Sequence, residues 1–260
     1  MILFDQVIFG PIKSRRLGLS LGVNLLPIDA KICSFNCIYC ECGFNTTIKE
    51  FPFPTRRQVQ EILKTKLQQM VAANETPDVI TFAGNGEPTL HPDFDKIIDD
   101  TIALRNEFCP SAKVSVLSNS TRIHKPRVFA ALNKVDNNIL KFDSAIESTM
   151  QLLDQPVGKT IHVDWLIDQL KKFNGKLIIQ TMFLRGTVNG KTIDNTTETE
   201  VEAWMAAIRQ IRPQQVMMYS LDREAPLSTL LKVTVDEMEK IAALLRAEGF
   251  QVSVAGSSAE

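Results

Sequence analysis

The amino-acid sequence predicts an α/β protein in which crossover helices cover a mainly parallel sheet. Short apolar, β-branched runs alternate along the chain with stretches whose apolar residues recur at helical spacing. About six or seven strand–helix units follow one another, too few for a closed eight-stranded barrel. An open or partial barrel and a doubly wound sheet both fit, and both place their chemistry at the carboxyl ends of the strands.

The predicted strands are short runs rich in Val, Ile, Leu and Phe. The first run ends at Pro27, and the run "DVITFAG" is apolar almost throughout, as expected for a strand buried on both faces. In chain order, strands are predicted at 17–26, 78–84, 113–119, 137–143, 176–184, 214–221 and 250–256.

The predicted helices carry their apolar residues on one face. In the first helix Val59, Leu63 and Leu67 share a face, and Thr55 is a suitable N-cap. Gly249 stands where the last helix needs a C-cap. In chain order, helices are predicted at 55–73, 93–108, 125–135, 162–173, 198–211 and 234–249.

Length and charge limit the possible classes of protein. The 260 residues, 44% of them hydrophobic, are enough for one large core, and we expect a single domain over 1–260. Within it, 1–16 is a lead-in, 17–225 the core and 226–260 a short C-terminal βα extension. The formal net charge of −1 gives no support to a general nucleic-acid-binding surface.

The sequence also predicts a cytoplasmic protein without a membrane span. The first residues do not form a secretory signal, because Asp5 interrupts a short apolar run and the positive charges follow it. No apolar stretch approaches the roughly 20 residues that cross a bilayer. Thiols stay reduced in the cytoplasm, so clustered cysteines there indicate a metal rather than disulfides.

Three of the five cysteines lie within the eight residues "CSFNCIYC" (33–40), after the first predicted strand. The thiolates of Cys33, Cys37 and Cys40 can converge on one soft metal centre. A structural zinc would want four ligands, whereas a cubane iron–sulfur cluster held by three cysteines leaves one iron open. Cys42 could close the site as a fourth ligand. We favour three ligands and a spare thiol, because Cys42 lies only two positions beyond Cys40.

A second motif, "FAGNGEPTLHP" (82–92), ends the next predicted strand. Gly84 and Gly86 would let the backbone approach a ligand closely. Glu87 offers a carboxylate that can accept a charge-assisted hydrogen bond from an ammonium group. An ordinary turn capped by Pro88 would not need that carboxylate, so the motif indicates a binding role.

The two motifs together resemble those of the radical S-adenosylmethionine (SAM) superfamily. The resemblance implies a partial (β/α)6 parallel barrel with a [4Fe–4S] cluster on Cys33, Cys37 and Cys40. It also implies that SAM chelates the fourth iron and is cleaved reductively to methionine and a 5′-deoxyadenosyl radical, which abstracts a hydrogen atom. In this family Tyr39 would lie against the adenine, and Glu87 would hold the amino group of SAM.

Weaker candidates follow the later strands. Ser118 and Asn119 resemble the family's ribose and carboxylate contacts. Lys141 and Asp143 are expected to face opposite sides of their strand, so that only Asp143 reaches the interior and bonds ribose or substrate. Asn85 departs from the family pattern, which often has glycine or a small residue there. Further residues that could line the cavity are Gln180, Met182, Tyr219 and Asp222.

One branch of the superfamily is more similar than the rest. The segments "FGPIKSRRLGLSLGVNLLP" and "CSFNCIYCECG" resemble the wyosine-synthesis-like Fe–S oxidoreductases. Characterised relatives rebuild a methylated guanine of tRNA with pyruvate and a second cluster. Cys42 and Cys109 cannot supply three further ligands, so that reaction is not carried over. Lys13, Arg15 and Arg16 could contact the methionyl carboxylate, an anionic substrate or RNA, or pack over the barrel bottom.

The substrate therefore stays open among an RNA base, a glycine of a partner protein and a small molecule. No flavin-binding segment is visible, so an external one-electron reductant of the flavodoxin or ferredoxin kind is expected. The alternatives are a non-catalytic iron–sulfur electron-transfer protein and a zinc-stabilised α/β domain with Cys42 as fourth ligand. Glu87 argues against a closed cluster, because such a cluster needs no ammonium acceptor.

Overall fold

The protein is described here as a computed structural model that covers residues 2–14, 18–46, 52–158, 161–223 and 225–256. The strands are β1 (Ile8–Ser14), β2 (Gly18–Val23), β3 (Val79–Phe82), β4 (Lys113–Ser118), β5 (Asn137–Lys141), β6 (Ile178–Met182), β7 (Leu184–Val188), β8 (Lys191–Asp194), β9 (Gln215–Tyr219), β10 (Leu230–Lys232) and β11 (Val252–Val254). The helices are α1 (Arg56–Ala72), α2 (Phe94–Phe108), α3 (Pro126–Leu132), α4 (Glu147–Asp154), α5 (Val163–Lys171), α6 (Glu198–Ile211) and α7 (Val235–Ala247).

An eight-stranded sheet in the order β1-β2-β3-β4-β5-β6-β9-β11 forms the framework. Strand β1 is antiparallel to β2, and every later neighbour in the sheet is parallel. Parallel strands need crossovers, which the helices provide, and β3 is accordingly buried at every residue. The predicted α/β class with a partial parallel barrel is confirmed.

The seven predicted strands correspond to β2, β3, β4, β5, β6, β9 and β11, and the six predicted helices to all helices except α4. The strand β11 pairs with β9 in the main sheet, so the C-terminal βα extension lengthens that sheet. The division of the chain at 16 and 225 stays a prediction.

The sequence reasoning missed three features. They are β1, α4 and a second, antiparallel sheet in the order β10-β7-β8. Asn189 and Gly190, both at positive φ, turn the chain between β7 and β8. An Asn-Gly pair between two strands is a strong hairpin signal, so the β7–β8 hairpin of this sheet could have been predicted from the sequence. Within the described residues, no helix is both long and apolar enough to cross a membrane.

Candidate active site

The cysteine loop lies at the carboxyl ends of the parallel strands, between β2 and α1. Its base is tied to the turn after β3, because Ile32 N donates to Asn85 O (2.9 Å) and Glu87 N donates to Ile32 O (3.1 Å). Gly86 has φ +137°, and a Cβ there would lie 1.7 Å from Ile32 O. The glycine therefore admits the protein's own loop.

Gly84 has the same use one step earlier in the turn. A Cβ on Gly84 would lie 2.3 Å from Asn24 Oδ1. Asn85, the departure from the family pattern, is fully buried. Its side chain accepts from Phe4 N (2.8 Å) and donates to Phe4 O and to Pro27 O (both 2.9 Å). An asparagine at this position therefore joins the N-terminal segment to the turn.

A second anchor holds the cysteine loop against the end of α4. Asn36 N donates to Asp154 O (2.9 Å) and Ile38 N donates to Leu153 O (3.0 Å). Val157 N donates to Ser34 O (2.9 Å). The loop thus rests between the β3 turn on one side and the residues that follow β5 on the other. Its conformation is fixed by backbone hydrogen bonds that do not involve the thiols.

The three predicted ligands are presented by this fixed loop. Cys37 is buried, Cys33 and Cys40 are half-buried, and all are free thiols. Burial raises the pKa of Cys33 to about 12 and that of Cys37 well above its usual value, and each of these pKa values also responds to the neighbouring cysteine charges. The side chains are thus close enough to interact electrostatically.

Cys40 differs from the other two because two donors face its sulfur. The hydrogen bond from Cys42 lowers the pKa of Cys40 to about 5, against the effect of burial, and Lys31 adds a further hydrogen bond. Hydrogen bonding to Cys40 raises the pKa of Cys42 in turn. Lys31 is only 2% exposed, and its Nζ also donates to Gly43 O (2.6 Å). Cys40 is therefore the thiol of this loop that most readily becomes a thiolate.

This donor set fits a cluster with one open iron. Three thiols on one rigid loop can bind three irons of a cubane, and Cys42 contacts Cys40. Within the described residues, no group of three or more His, Cys, Asp or Glu side chains is already arranged to hold a metal ion.

Glu87 is buried, 2% exposed, and its carboxylate is already bonded within the protein. Oε1 accepts from Thr89 N (3.1 Å), from Thr89 Oγ1 and from Ser118 Oγ (2.8 Å). Oε2 accepts from Asn119 N (2.7 Å), so one of the two lone pairs of that oxygen can still accept a hydrogen bond. Burial raises the pKa of Glu87, and these donors only partly offset it.

Ser118 and Asn119 lie where the sequence placed them, at the end of β4. In addition to its bond to Glu87, Asn119 donates from Nδ2 to Cys33 Sγ (3.3 Å) and to Ser34 Oγ (2.9 Å). The residue thereby joins the predicted metal loop to the predicted amino-group acceptor. Two candidates found separately in the sequence are thus in one hydrogen-bonded network.

The expectation for Lys141 and Asp143 is wrong, because residues two positions apart on an extended strand point to the same side. The Lys141 ammonium bonds the carboxylates of Asp143 and Asp154 and the hydroxyl of Tyr39, and Tyr39 also donates to Asp143. Nζ lies 4.8 Å from the centroid of the Tyr39 ring. Both side chains therefore reach the interior.

Burial and the neighbouring charges shift the pKa values in this network in opposite ways. Although burial lowers the pKa of Lys141, Asp143 and Asp154 together raise it well above the usual value. Burial raises the pKa of Asp154 to about 7. The second oxygen of Asp143 accepts from Met182 N (2.9 Å), so both oxygens of that carboxylate have protein donors. Tyr39, on the cysteine loop, is thereby held to β5 and α4.

The remaining candidates are placed as follows. Met182, the last residue of β6, is buried, while Gln180 in the middle of β6 and Tyr219 at the end of β9 are half-buried. Cys109 is buried at the end of α2, remote in sequence from the cysteine loop. Lys13 is exposed on β1, and Arg15 and Arg16 lie outside the described residues.

Sequence reasoning missed several residues that shape the site. Asn24 and Lys31 were passed over because a single asparagine or lysine before a motif carries no pattern. Asp154 was passed over because α4 was. Ser34 Oγ, 2.6 Å from Thr121 Oγ1, is a further contact that only the tertiary structure reveals.

A three-cysteine loop at the mouth of a partial (β/α) barrel defines a class of iron–sulfur proteins that bind a second ligand at the open iron. The sequence model of the Radical SAM superfamily matches residues 28–203, well over half of the chain. The chain belongs to the Radical SAM superfamily, as the motifs indicated. It is a radical SAM enzyme, and its cofactors are those of the superfamily, a [4Fe–4S] cluster and SAM.

Two relatives are longer than the part of them that this chain matches. It is 29% identical over 237 residues to a protein named GTPase Obg from Brachyspira hyodysenteriae, covering 90% of this chain but 32% of that protein. It is 29% identical over 253 residues to a UPF0026 protein of Helicobacter pylori, covering 95% of this chain and 76% of the relative. The chain thus spans about a third of the first relative and three quarters of the second.

Solved structures share the fold at low sequence identity. A radical SAM methyltransferase from Sphaerobacter thermophilus matches with a TM-score of 0.65 and 13% identity, over 90% of this chain and 65% of that one. SuiB of Streptococcus suis bound to SAM gives 0.62 and 13%, over 87% and 49%. TYW1 with a lysine–pyruvate adduct gives 0.62 and 16%, over 88% and 73%.

Proposed function

We propose that Cys33, Cys37 and Cys40 hold the cluster and that Glu87 orients SAM beside it. When bound, the cluster and SAM supply a reductive cleavage that yields methionine and a 5′-deoxyadenosyl radical, which abstracts hydrogen from the substrate. The observation that carries the proposal is the Asn119 network, because this one residue joins Glu87, through its backbone N, to Cys33, through its side-chain Nδ2. A ligand that contacts both groups would be oriented by the same residue.

The residues of the chain divide the binding work between them. Oε2 of Glu87 has one acceptor position left, and an ammonium group placed there would gain a charge-assisted hydrogen bond. Gly86 keeps the turn close to Ile32 at the base of the cysteine loop, and Gly84 keeps it close to Asn24, which holds Glu87 near the thiols. Tyr39 presents its ring beside the loop, where Asp143 and Lys141 fix its hydroxyl.

The partners of the reaction belong to the same proposal. A one-electron reductant of the flavodoxin or ferredoxin kind would supply the electron, and the substrate is an RNA base, a protein glycine or a small molecule. We place the enzyme in the cytoplasm. All five cysteines are free thiols, which is typical of a reducing compartment.

The test is reductive cleavage of SAM by anaerobically reconstituted protein, measured as 5′-deoxyadenosine formed. Cys37→Ala should lose both iron and product, because only two of the three proposed ligands would remain. Cys109→Ala is the matched control, since it removes another buried thiol far along the chain from the loop. Cys42→Ala should keep the cluster. Normal iron loading in Cys37→Ala, or loss of the cluster in Cys42→Ala, would contradict the three-ligand assignment.

A further inference from the structure

A pocket of about 480 Å³ opens where α2 and α3 begin. It lies at the same end of the sheet as the candidate active site, because each helix starts where the preceding parallel strand ends. Its lining includes Thr89, His91, Asp95, Arg122, Lys125 and Arg127. A volume of this size accommodates a small organic molecule.

The lining of the pocket is basic although the chain carries a net charge of −1. Three cationic side chains, Arg122, Lys125 and Arg127, face one carboxylate, Asp95. Across the part of the chain that the structure describes, none of the three cations forms an ion pair or a side-chain hydrogen bond. Other basic side chains near α2 are paired with carboxylates of that helix, as Arg56 is with Asp100 and Lys134 is with Asp99. The positive charge of the pocket is therefore only partly compensated, by Asp95.

Arg122 adds an independent observation. Its Nε is buried and, among the described residues, has no hydrogen-bond partner. Buried donors are nearly always satisfied in folded proteins, and an unsatisfied one calls for a partner that the chain does not supply. A guanidinium in this condition gains most from an anion with several acceptor oxygens.

His91 does not contribute to the charge. Its Nε2 donates to Pro54 O (2.7 Å), and its Nδ1 accepts from Asp93 N (3.1 Å), which fixes the neutral tautomer. Burial lowers the pKa of His91 in the same sense. The field in the pocket thus comes from the arginines and the lysine, and it persists across the neutral pH range.

We propose that this pocket binds the phosphate group of a phosphate ester. Three cations against one carboxylate suit a dianion better than a monocarboxylate, and the volume leaves room for the organic part of the ester. The phosphate can belong to a free small molecule or to the backbone of RNA, and both present the same group.

The pocket also has a physical connection to the candidate active site. Thr89 lines it and donates from N and Oγ1 to the carboxylate of Glu87. Arg122 follows Thr121, whose hydroxyl contacts Ser34 of the cysteine loop. A phosphate held here would anchor a substrate at the edge of the mouth. That use of the pocket rests on the proposed function, whereas phosphate binding itself does not.

The experiment is calorimetric titration of the protein, without SAM, with three probes: inorganic phosphate, adenosine 5′-monophosphate and a single-stranded RNA 12-mer. Lys125→Gln/Arg127→Gln removes two charges from the pocket, and both side chains are partly or fully exposed, so folding should be retained. Lys171→Gln/Lys172→Gln on α5 is the matched control, because it removes two exposed charges elsewhere. Arg122→Gln tests the unpartnered guanidinium separately.

We expect saturable binding of adenosine 5′-monophosphate that weakens by roughly tenfold or more in the pocket variants and changes little in the control. Much tighter RNA binding with the same dependence identifies RNA as the source, and binding of the nucleotide without RNA identifies a small molecule. Absence of saturable binding of every probe, or equal losses in the pocket and control variants, overturns the proposal. SAM cleavage by the same preparations reports separately on the proposed function.

Discussion

Glu87 at the barrel mouth and Glu237 at the start of α7 make similar hydrogen bonds but have opposite pKa shifts. Glu237 accepts from Thr234 N (2.9 Å) and Thr234 Oγ1 (2.8 Å) in a capping box, and these bonds together with the ion pair to Arg185 (2.9 Å) lower its pKa to about 2. Glu87 accepts from Thr89, two positions on, and from Ser118 and Asn119 at the end of β4, yet its pKa is raised. Burial is the largest cause of the raised pKa of Glu87, whereas Glu237 keeps its contact with water and its ion pair.

The same contrast applies to the lysines of the two regions. Lys141 is buried between two carboxylates at the mouth, whereas Lys134 reaches Asp99 (2.6 Å) with both side chains about half exposed. Charges on the outer helices are solvated and contribute little individually. Charges at the mouth have lost most of their hydration and interact with one another instead, so each depends on its partner. The mouth is therefore where single substitutions should have large effects.

The largest effect is expected for Lys141→Met. Removing the ammonium leaves Asp143 and Asp154 buried as like charges, and breaking a buried pair in this way typically costs about 3–5 kcal/mol of unfolding free energy. Lys134→Met is the matched control and should cost about 1 kcal/mol or less. Urea unfolding of both variants measures the difference. Equal losses would show that burial does not distinguish the two regions.

A smaller effect is expected for Glu87→Gln on SAM binding. The variant keeps the shape of the side chain and one of its two acceptor oxygens but removes the charge that an ammonium group would meet. SAM affinity of the reconstituted protein should fall by roughly tenfold or more, with the cluster retained. Glu237→Gln, far from the loop, should leave it unchanged. Unaltered affinity in Glu87→Gln, measured by calorimetry, would remove Glu87 from the binding role.

The smallest effect is a pH dependence that should differ in sign between the two glutamates. For Glu87, whose pKa is raised on folding, the native state holds more protons above about pH 4.5, so its contribution to stability decreases as the pH rises. For Glu237, the contribution is present above pH 4.5 and is lost as the pH falls towards 2. Unfolding free energies of wild type and each Gln variant, compared across pH 2 to 8, give the two slopes. Slopes of one sign would contradict the comparison.

Local patterns predicted most of the framework. The parallel strands and their helices were found because apolar periodicity reports burial directly. β1 was missed because its sequence contains Gly10 and Pro11, which argue against a strand, and the register of the β1–β2 pair shifts between Phe9 and Ile12. α4 was missed because it is short and its first turn has no side-chain cap.

The candidate site was predicted where a motif carries it and missed where only the tertiary fold does. The three cysteines and Glu87 have characteristic neighbours in the sequence. Lys31 and Asp154 acquire their importance from single contacts, with Cys40 and Lys141, that follow no periodic pattern in the sequence. Gly84 and Gly86 were assigned to ligand approach, whereas the close contacts that the structure shows are with Asn24 and Ile32.

The most direct test of the account is electron paramagnetic resonance of the anaerobically reconstituted, reduced protein, recorded with and without SAM. A site built from Cys33, Cys37 and Cys40 leaves one iron for SAM, so the [4Fe–4S]⁺ signal should change when SAM is added. The same shift should persist in Cys42→Ala. A signal that is indifferent to SAM in wild type and becomes sensitive to it in Cys42→Ala would show that Cys42 closes the cluster, and would contradict the account.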